Sequence, residues 1–361
     1  MILGTRITNL TIKNNYTNHL NINQKRLNDA NLRVSDGRRF TSMSEDVALG
    51  LRSMKVRRDL SKNLTWQDNT AECKSILKAT EDTLRGLLPS LDKANFEKYV
   101  QALNGTNSVD EYYAINAEIK QIQKDVLKTL NAEFSGRYLY GGSQINEAPF
   151  DIFSDPADPN HPDTGKLMYR GVLVASLDPA TNPKLDPSDS NFDPTDPEYL
   201  KFLAITNDPV YIDLGLGMTL DASGNPIPST VFDRSVNGLD IVGTGKENIY
   251  DVLGEVIASL DAAIANQDPG ELDPDLLTRM TNLENRAKVM VTRFGASDNF
   301  LDFTAERLKT DHDNLLARDQ ALEFREADEL IMEFTMQNYL YNAALQMGSR
   351  LLQPSLFNFI N

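Results

Sequence analysis

Few residues in this chain could do chemistry, and they stand apart. The three histidines, His19, His161 and His312, lie in different segments. The single cysteine, Cys73, sits in a helical run with no histidine nearby to act as its base, so it reads as a small packing residue and not a nucleophile. His312, in KTDHDN, falls on a helical seam and reads as a polar interruption of a core. The stretch GLDIVGTGK (238–246) shares only glycines with a phosphate loop. Thr244 occupies the place of the required lysine, and Lys246 precedes Glu247 instead of a hydroxyl residue. The aspartates of DPSDSNFDPTDPE (186–198) offer oxygen ligands for calcium but lack the EF-hand spacing and its central glycine. No carboxylate pair has a positioned partner for acid–base work. The sequence predicts no catalytic residue, no cofactor and no bound metal.

What must be positioned, then, is an assembly surface, and the composition shows where its elements lie. Of 16 prolines, 11 fall in 151–240. Proline removes a backbone donor and is excluded from helix interiors, so the order is helix, a non-helical middle, then helix. Within the middle, LMYRGVLVAS (167–176) is rich in strand formers, and VYIDLGLGM (210–218) alternates like a half-buried strand. RYLYGG (137–142) reads as a strand or turn closing the first helical half. The expected fold class is mainly α with an inserted β domain, an elongated rod of antiparallel coiled-coil-like helices from both chain ends around a central β-rich insertion. The expected domains are 1–40 with 325–361 as a terminal coiled coil, partly disordered in the monomer, 41–149 with 241–324 as a helical rod, and 150–240 as an outer β-rich domain.

Helical periodicity supplies the detail. Ile12, Tyr16, Leu20, Asn23, Leu27 and Ala30 step by threes and fours before VSDG (34–37) interrupts. Helix is predicted again from about Ser44 through Leu91, with Val47, Leu51 and Met54 near its start, over 110–134 with a stripe from Ile115 to Leu130, and over 248–266. Leu301, Ala305, Leu308, His312 and Leu315 form one seam, and Leu330, Phe334, Gln337, Tyr341, Ala344, Gly348 and Leu351 another, in the rhythm of a coiled coil. The two are out of step by one residue across 323–329, which predicts a joint there.

Charge points the same way. Residues 1–62 carry a net +7, while the whole chain carries −16. A chain of that overall charge is repelled by phosphate, so the basic segment is expected to face the acidic stretch EFREADELIMEF (323–334), not nucleic acid. The start, MILGTRITNLTIKNN, lacks the apolar core of a secretory signal, and no run of 18 apolar residues occurs. Neither a cleaved signal nor membrane insertion is expected.

RVSDGRRFTSMSEDVALGLR (33–52) resembles the N-terminal signature of the flagellin superfamily, with a Ser-x-Gly-basic turn and an acidic helix start at Ser35, Gly37, Glu45 and Asp46. It differs in reading Glu45-Asp46-Val47 where the family often has Asp-Asp-Pro. NYLYNAALQMGSRLLQPSLFNFIN (338–361) is similar to the superfamily's C-terminal helix. GRYLYGGSQINEAPF (136–150), the two strand segments and NIYDVLGEVIASLDAAI (248–264) are more similar to the hook–filament junction family, hook-associated protein 3. The resemblance implies a structural adaptor of the bacterial flagellum, not an enzyme. It implies a homo-oligomeric ring between the proximal hook-associated protein and flagellin, and a cytosolic export chaperone before type III export. Terminal-helix packing would fall to Leu20, Leu27, Leu330, Phe334, Tyr341 and Leu351, and the apolar tail to Leu356, Phe357, Phe359 and Ile360. Two other readings stay open at this point: a flagellin filament subunit, and a calcium-dependent or carbohydrate-active surface protein working through 150–240.

Overall fold

The computed structural model describes residues 9–40, 42, 44–104, 107–154, 163–189, 192–268 and 271–351. In chain order the first flank holds α1 (Asn9–Asp36), α2 (Val47–Asp92), a π turn (Lys93–Tyr99) leading into α3 (Val100–Leu103), and α4 (Val109–Leu130). The middle holds β1 (Glu133–Phe134), β2 (Arg137–Tyr138), β3 (Phe150–Ile152), β4 (Leu167–Tyr169), β5 (Val172–Leu173), α5 (Pro197–Thr206), β6 (Tyr211–Ile212) and β7 (Phe232–Asp233). The return flank holds α6 (Gly238–Val242), α7 (Ile249–Asn266), α8 (Asp275–Glu323) and α9 (Ala327–Leu351). The chain is thus mainly α with a small β insertion, but the middle is not free of helix as its prolines predict: α5 starts on the Asp196 cap with Pro197 in its first turn, where proline is tolerated, and Pro89 lies inside α2. No helix among the described residues is long and apolar enough to cross a membrane.

The chain divides into two compact units, Met1–Thr65 with Lys309–Asn361, and Trp66–Leu308. The second has its core where α4 packs on α7. Ile115, Ile119, Ile122, Val126 and Leu130, the stripe read from the sequence, are all buried, as are Val252, Leu253, Val256 and Leu260 of α7. Both helices begin on caps that satisfy their free backbone donors. Ser108 and Glu111 form a reciprocal capping box, and the fully buried Asn248 accepts from the Asp251 N–H at 2.9 Å.

The strands are shorter than their sequences predict, for a local reason. LMYRGVLVAS is a hairpin: β4 and β5 are antiparallel around Arg170 and Gly171, at φ 49° and 75°, the two left-handed positions of a tight hairpin turn. VYIDLGLGM stays extended only through Ile212. Gly215, at φ +71°, folds the following loop onto Trp66, where a Cβ would lie 2.8 Å from the indole. There the Trp66 indole N–H donates to Asp213 at 2.9 Å, and Arg307 donates to the Leu214 and Gly215 carbonyls.

In the first unit, α1 runs antiparallel to α9. Tyr16 donates to the Ala344 carbonyl at 3.2 Å near one end of the pair, and Arg33 meets Glu333 at 2.6 Å near the other. The first part of α2 and the last part of α8 complete this unit.

Candidate functional site

The α1–α9 seam collects most of the residues that the heptad-like spacing singles out. On α1, Tyr16, Leu20, Asn23 and Leu27 are half-buried and Ala30 is buried, while their helical neighbours other than Asp29 are exposed. On α9, Leu330 and Gly348 are buried and Phe334, Gln337, Tyr341 and Ala344 half-buried. Gly348 is small because Tyr16 occupies the space that a Cβ would need. Leu351 closes α9. The tail residues Leu356, Phe357, Phe359 and Ile360 lie outside the described residues, as does His161.

Next to the seam, the structure places two chain breaks side by side. Gly37, at φ +69°, ends α1 with its N–H on the Arg33 carbonyl at 2.8 Å. This is a left-handed helix stop that glycine adopts without a Cβ penalty. Asp46 starts α2 by accepting from the Leu49 N–H at 2.9 Å. Ser35 stays exposed in the last turn of α1. Opposite them, the helix breaks between Glu323 and Ala327, inside the predicted joint. Backbone bonds join the two breaks: Arg39 N–H to the Glu323 carbonyl at 2.6 Å and Arg325 N–H to the Gly37 carbonyl at 3.3 Å.

Ion pairs then clasp the junction. Arg33 bridges Glu45 at 2.9 Å and Glu333 at 2.6 Å, and Arg325 bridges Glu333 at 3.1 Å and Glu329 at 2.8 Å. Ser53 and Arg57 of α2 hold the buried carboxylate of Glu323, and Arg57 also reaches Asp319 at 3.8 Å. The basic segment therefore faces the acidic one within the chain. Sequence reasoning found the two charged segments but not these partners, because spacing along a helix does not say what lies across from it.

The second unit contains a polar cavity of about 250 Å³ lined by Cys73, Asp208, Asp233, Arg234, Asp240 and Arg293. Its charges are engaged in structure. Asp208 is tied to Arg170 at 2.6 Å and to Ser143, Arg234 to Glu72 at 3.0 Å, and Asp233 accepts from the Val210 and Ser235 N–H groups. Burial, opposed by Arg293 and Arg286, raises the Asp240 carboxyl above its usual range. Cys73 is buried, and desolvation pushes its thiol up to about 11. His312 keeps its Nδ1 buried without a hydrogen-bond partner. Among the described residues no three His, Cys, Asp or Glu side chains stand together as a metal site would need.

What the sequence did not disclose is a second, outward apolar face on α9. Met332, Met336, Tyr339 and Met347 are all more than 60% exposed. Their spacing was legible, but the seam on the other side of the same helix masks it. Val47, Leu51 and Met54 on α2 are likewise open to solvent. Apolar stripes of this kind on a folded chain mark contact surfaces.

Residues 7–145 match the model of the bacterial flagellin N-terminal helical region. No curated protein sequence matches the chain. A protein of Vibrio parahaemolyticus described as a flagellar hook-associated protein shares the fold, with a TM-score of 0.54 at 14% identity, covering 78% of this chain and all of the other. Bacillus cereus FlgL aligns with a TM-score of 0.45 at 21% identity over 74% of this chain and 99% of its own. Hook-associated protein 3 of Legionella pneumophila aligns at 0.49 and 13% identity over 74% and 98%.

Proposed function

We propose that this chain, which carries the bacterial flagellin N-terminal helical region, is a structural adaptor of the flagellum that forms the junction ring between hook and filament. The observation that carries the reading is the α1–α9 pair, closed on one face by its own seam and left apolar on the other. A helix that is apolar on both faces needs a second partner, and an assembly of copies supplies one. The proposed division of labour follows the chain. Residues 1–40 and 325–361 form the terminal coiled coil that orders in the assembly, 41–149 and 241–324 form the helical rod, and 150–240 face outward. Leu20, Leu27, Leu330, Phe334, Tyr341 and Leu351 pack the terminal helices. Ser35, Gly37, Glu45 and Asp46 form the joint. Leu356, Phe357, Phe359 and Ile360 meet an export chaperone first and neighbouring subunits after type III export. The ring contacts the proximal hook-associated protein below and flagellin above.

A strain lacking the chain should carry hooks without filaments while exporting flagellin to the medium, and antibody should label only the hook–filament boundary. The second reading, a filament subunit, draws on the flagellin family model itself. Label along whole filaments, or long filaments grown from the purified chain alone, would replace the junction role with that one.

A further inference from the structure

We infer that α9 of one copy lies antiparallel along α2 of a second copy, closing the two apolar stripes that the folded chain leaves open. The inference rests on the assembly reading above and names the surfaces that meet. On α2, Val47, Leu51 and Met54 are 59%, 59% and 56% exposed; on α9, Met332, Met336 and Tyr339 are 65%, 61% and 72% exposed. Each stripe steps by three and four residues over the same seven-residue span, a rise of about 10 Å, so the two match in length and spacing. Side chains this exposed on both helices do not cover each other within one chain.

Charge selects the partner and its direction. The α9 stripe opens with Asp328 and Glu329, both exposed, and Asp328 has no ion pair among the described residues. The α2 stripe opens near Glu45 and Asp46 and closes with the exposed Lys55 and Arg58, neither ion-paired among the described residues. Beside Lys55 lies a hollow of about 340 Å³, lined also by Arg52, Arg318 and one carboxylate, Asp59, so the balance of its charge is basic. Antiparallel packing sets Asp328 and Glu329 against Lys55 and Arg58. Parallel packing would instead take Asp328 away from Lys55 and Arg58 and set it beside Asp46 and the Arg33-bridged Glu45, which like-charge repulsion disfavours. Because the two surfaces differ, each copy offers one of each to its neighbours, and the contact can repeat around a closed ring.

Cysteine cross-linking tests this on the full chain, since the native Cys73 is buried. Met54→Cys and Met332→Cys variants, mixed under crowding with polyethylene glycol and oxidised, should give a disulfide-linked dimer about tenfold more abundant than either alone. Val47→Cys mixed with Met332→Cys should not. Lys55→Glu with Arg58→Glu in the Met54→Cys chain should remove the dimer, and Asp328→Lys with Glu329→Lys in its partner should restore it. Efficient linking of Met332→Cys to itself, preference for the Val47→Cys pairing, or no dimer from any mixture overturns the contact. If these fail while antibody still marks the hook–filament boundary, the assembly reading stands and the contact does not. Cross-linking in a chain absent from flagella would separate the two the other way.

Discussion

Cys73 shows how little reactive chemistry the residues offer. It is 1% exposed, and desolvation, opposed by Arg234 and reinforced by Glu72, pushes its thiol up to about 11. At pH 8 that leaves about a hundredfold less thiolate than an ordinary cysteine, before access is considered. The folded chain should therefore resist Ellman's reagent over a period in which the urea-unfolded chain reacts completely. Equal rates would mean that the thiol is neither buried nor suppressed. His312 belongs to the same pattern of polar groups held in packing, with Nδ1 buried and unpartnered on a helix seam.

Among the elements, the α1–α9 pair separates apolar from ionic contributions. Leu330 is 2% exposed, and Leu330→Ala should cost about 2–4 kcal/mol through lost burial and the cavity left behind. Glu333→Gln breaks bridges to Arg33 and Arg325 that remain partly exposed, and should cost about 0–1 kcal/mol. Urea titration followed by circular dichroism at 222 nm checks both, and a larger loss from Glu333→Gln would reverse the ranking. The long helices were legible in the sequence, whereas α5, inside the segment read as non-helical, was not. The α4 stripe, the stop at VSDG and the joint near 323–329 follow from periodicity and from glycine. Two things did not follow. The alternation of VYIDLGLGM hides glycines, and Gly215 takes a positive φ that ends the strand, because the loop must reach Trp66. Val47, Leu51 and Met54 read as a helical stripe, and periodicity shows which residues share a face but not whether that face has a partner in the same chain.

For the whole molecule, net charge opposes the association that the exposed stripes favour. Each copy carries −16, although residues 1–62 carry +7, so copies repel at long range while local basic and acidic patches attract at contact. Ionic strength separates the two. At 0.01 M salt the Debye length is about 30 Å and the net repulsion reaches a neighbouring copy, whereas at 0.15 M it is about 8 Å and mainly close contacts survive. Burial of apolar side chains is not weakened over this range. The fraction of full-length chain sedimenting as assemblies should therefore rise between 0.01 and 0.15 M sodium chloride. The Lys55→Glu, Arg58→Glu chain, made more negative and stripped of its contact cations, should sediment less than the natural chain at both salts. A sedimenting fraction that falls steadily with salt would mean that short-range ion pairs, not apolar stripes, hold the copies together.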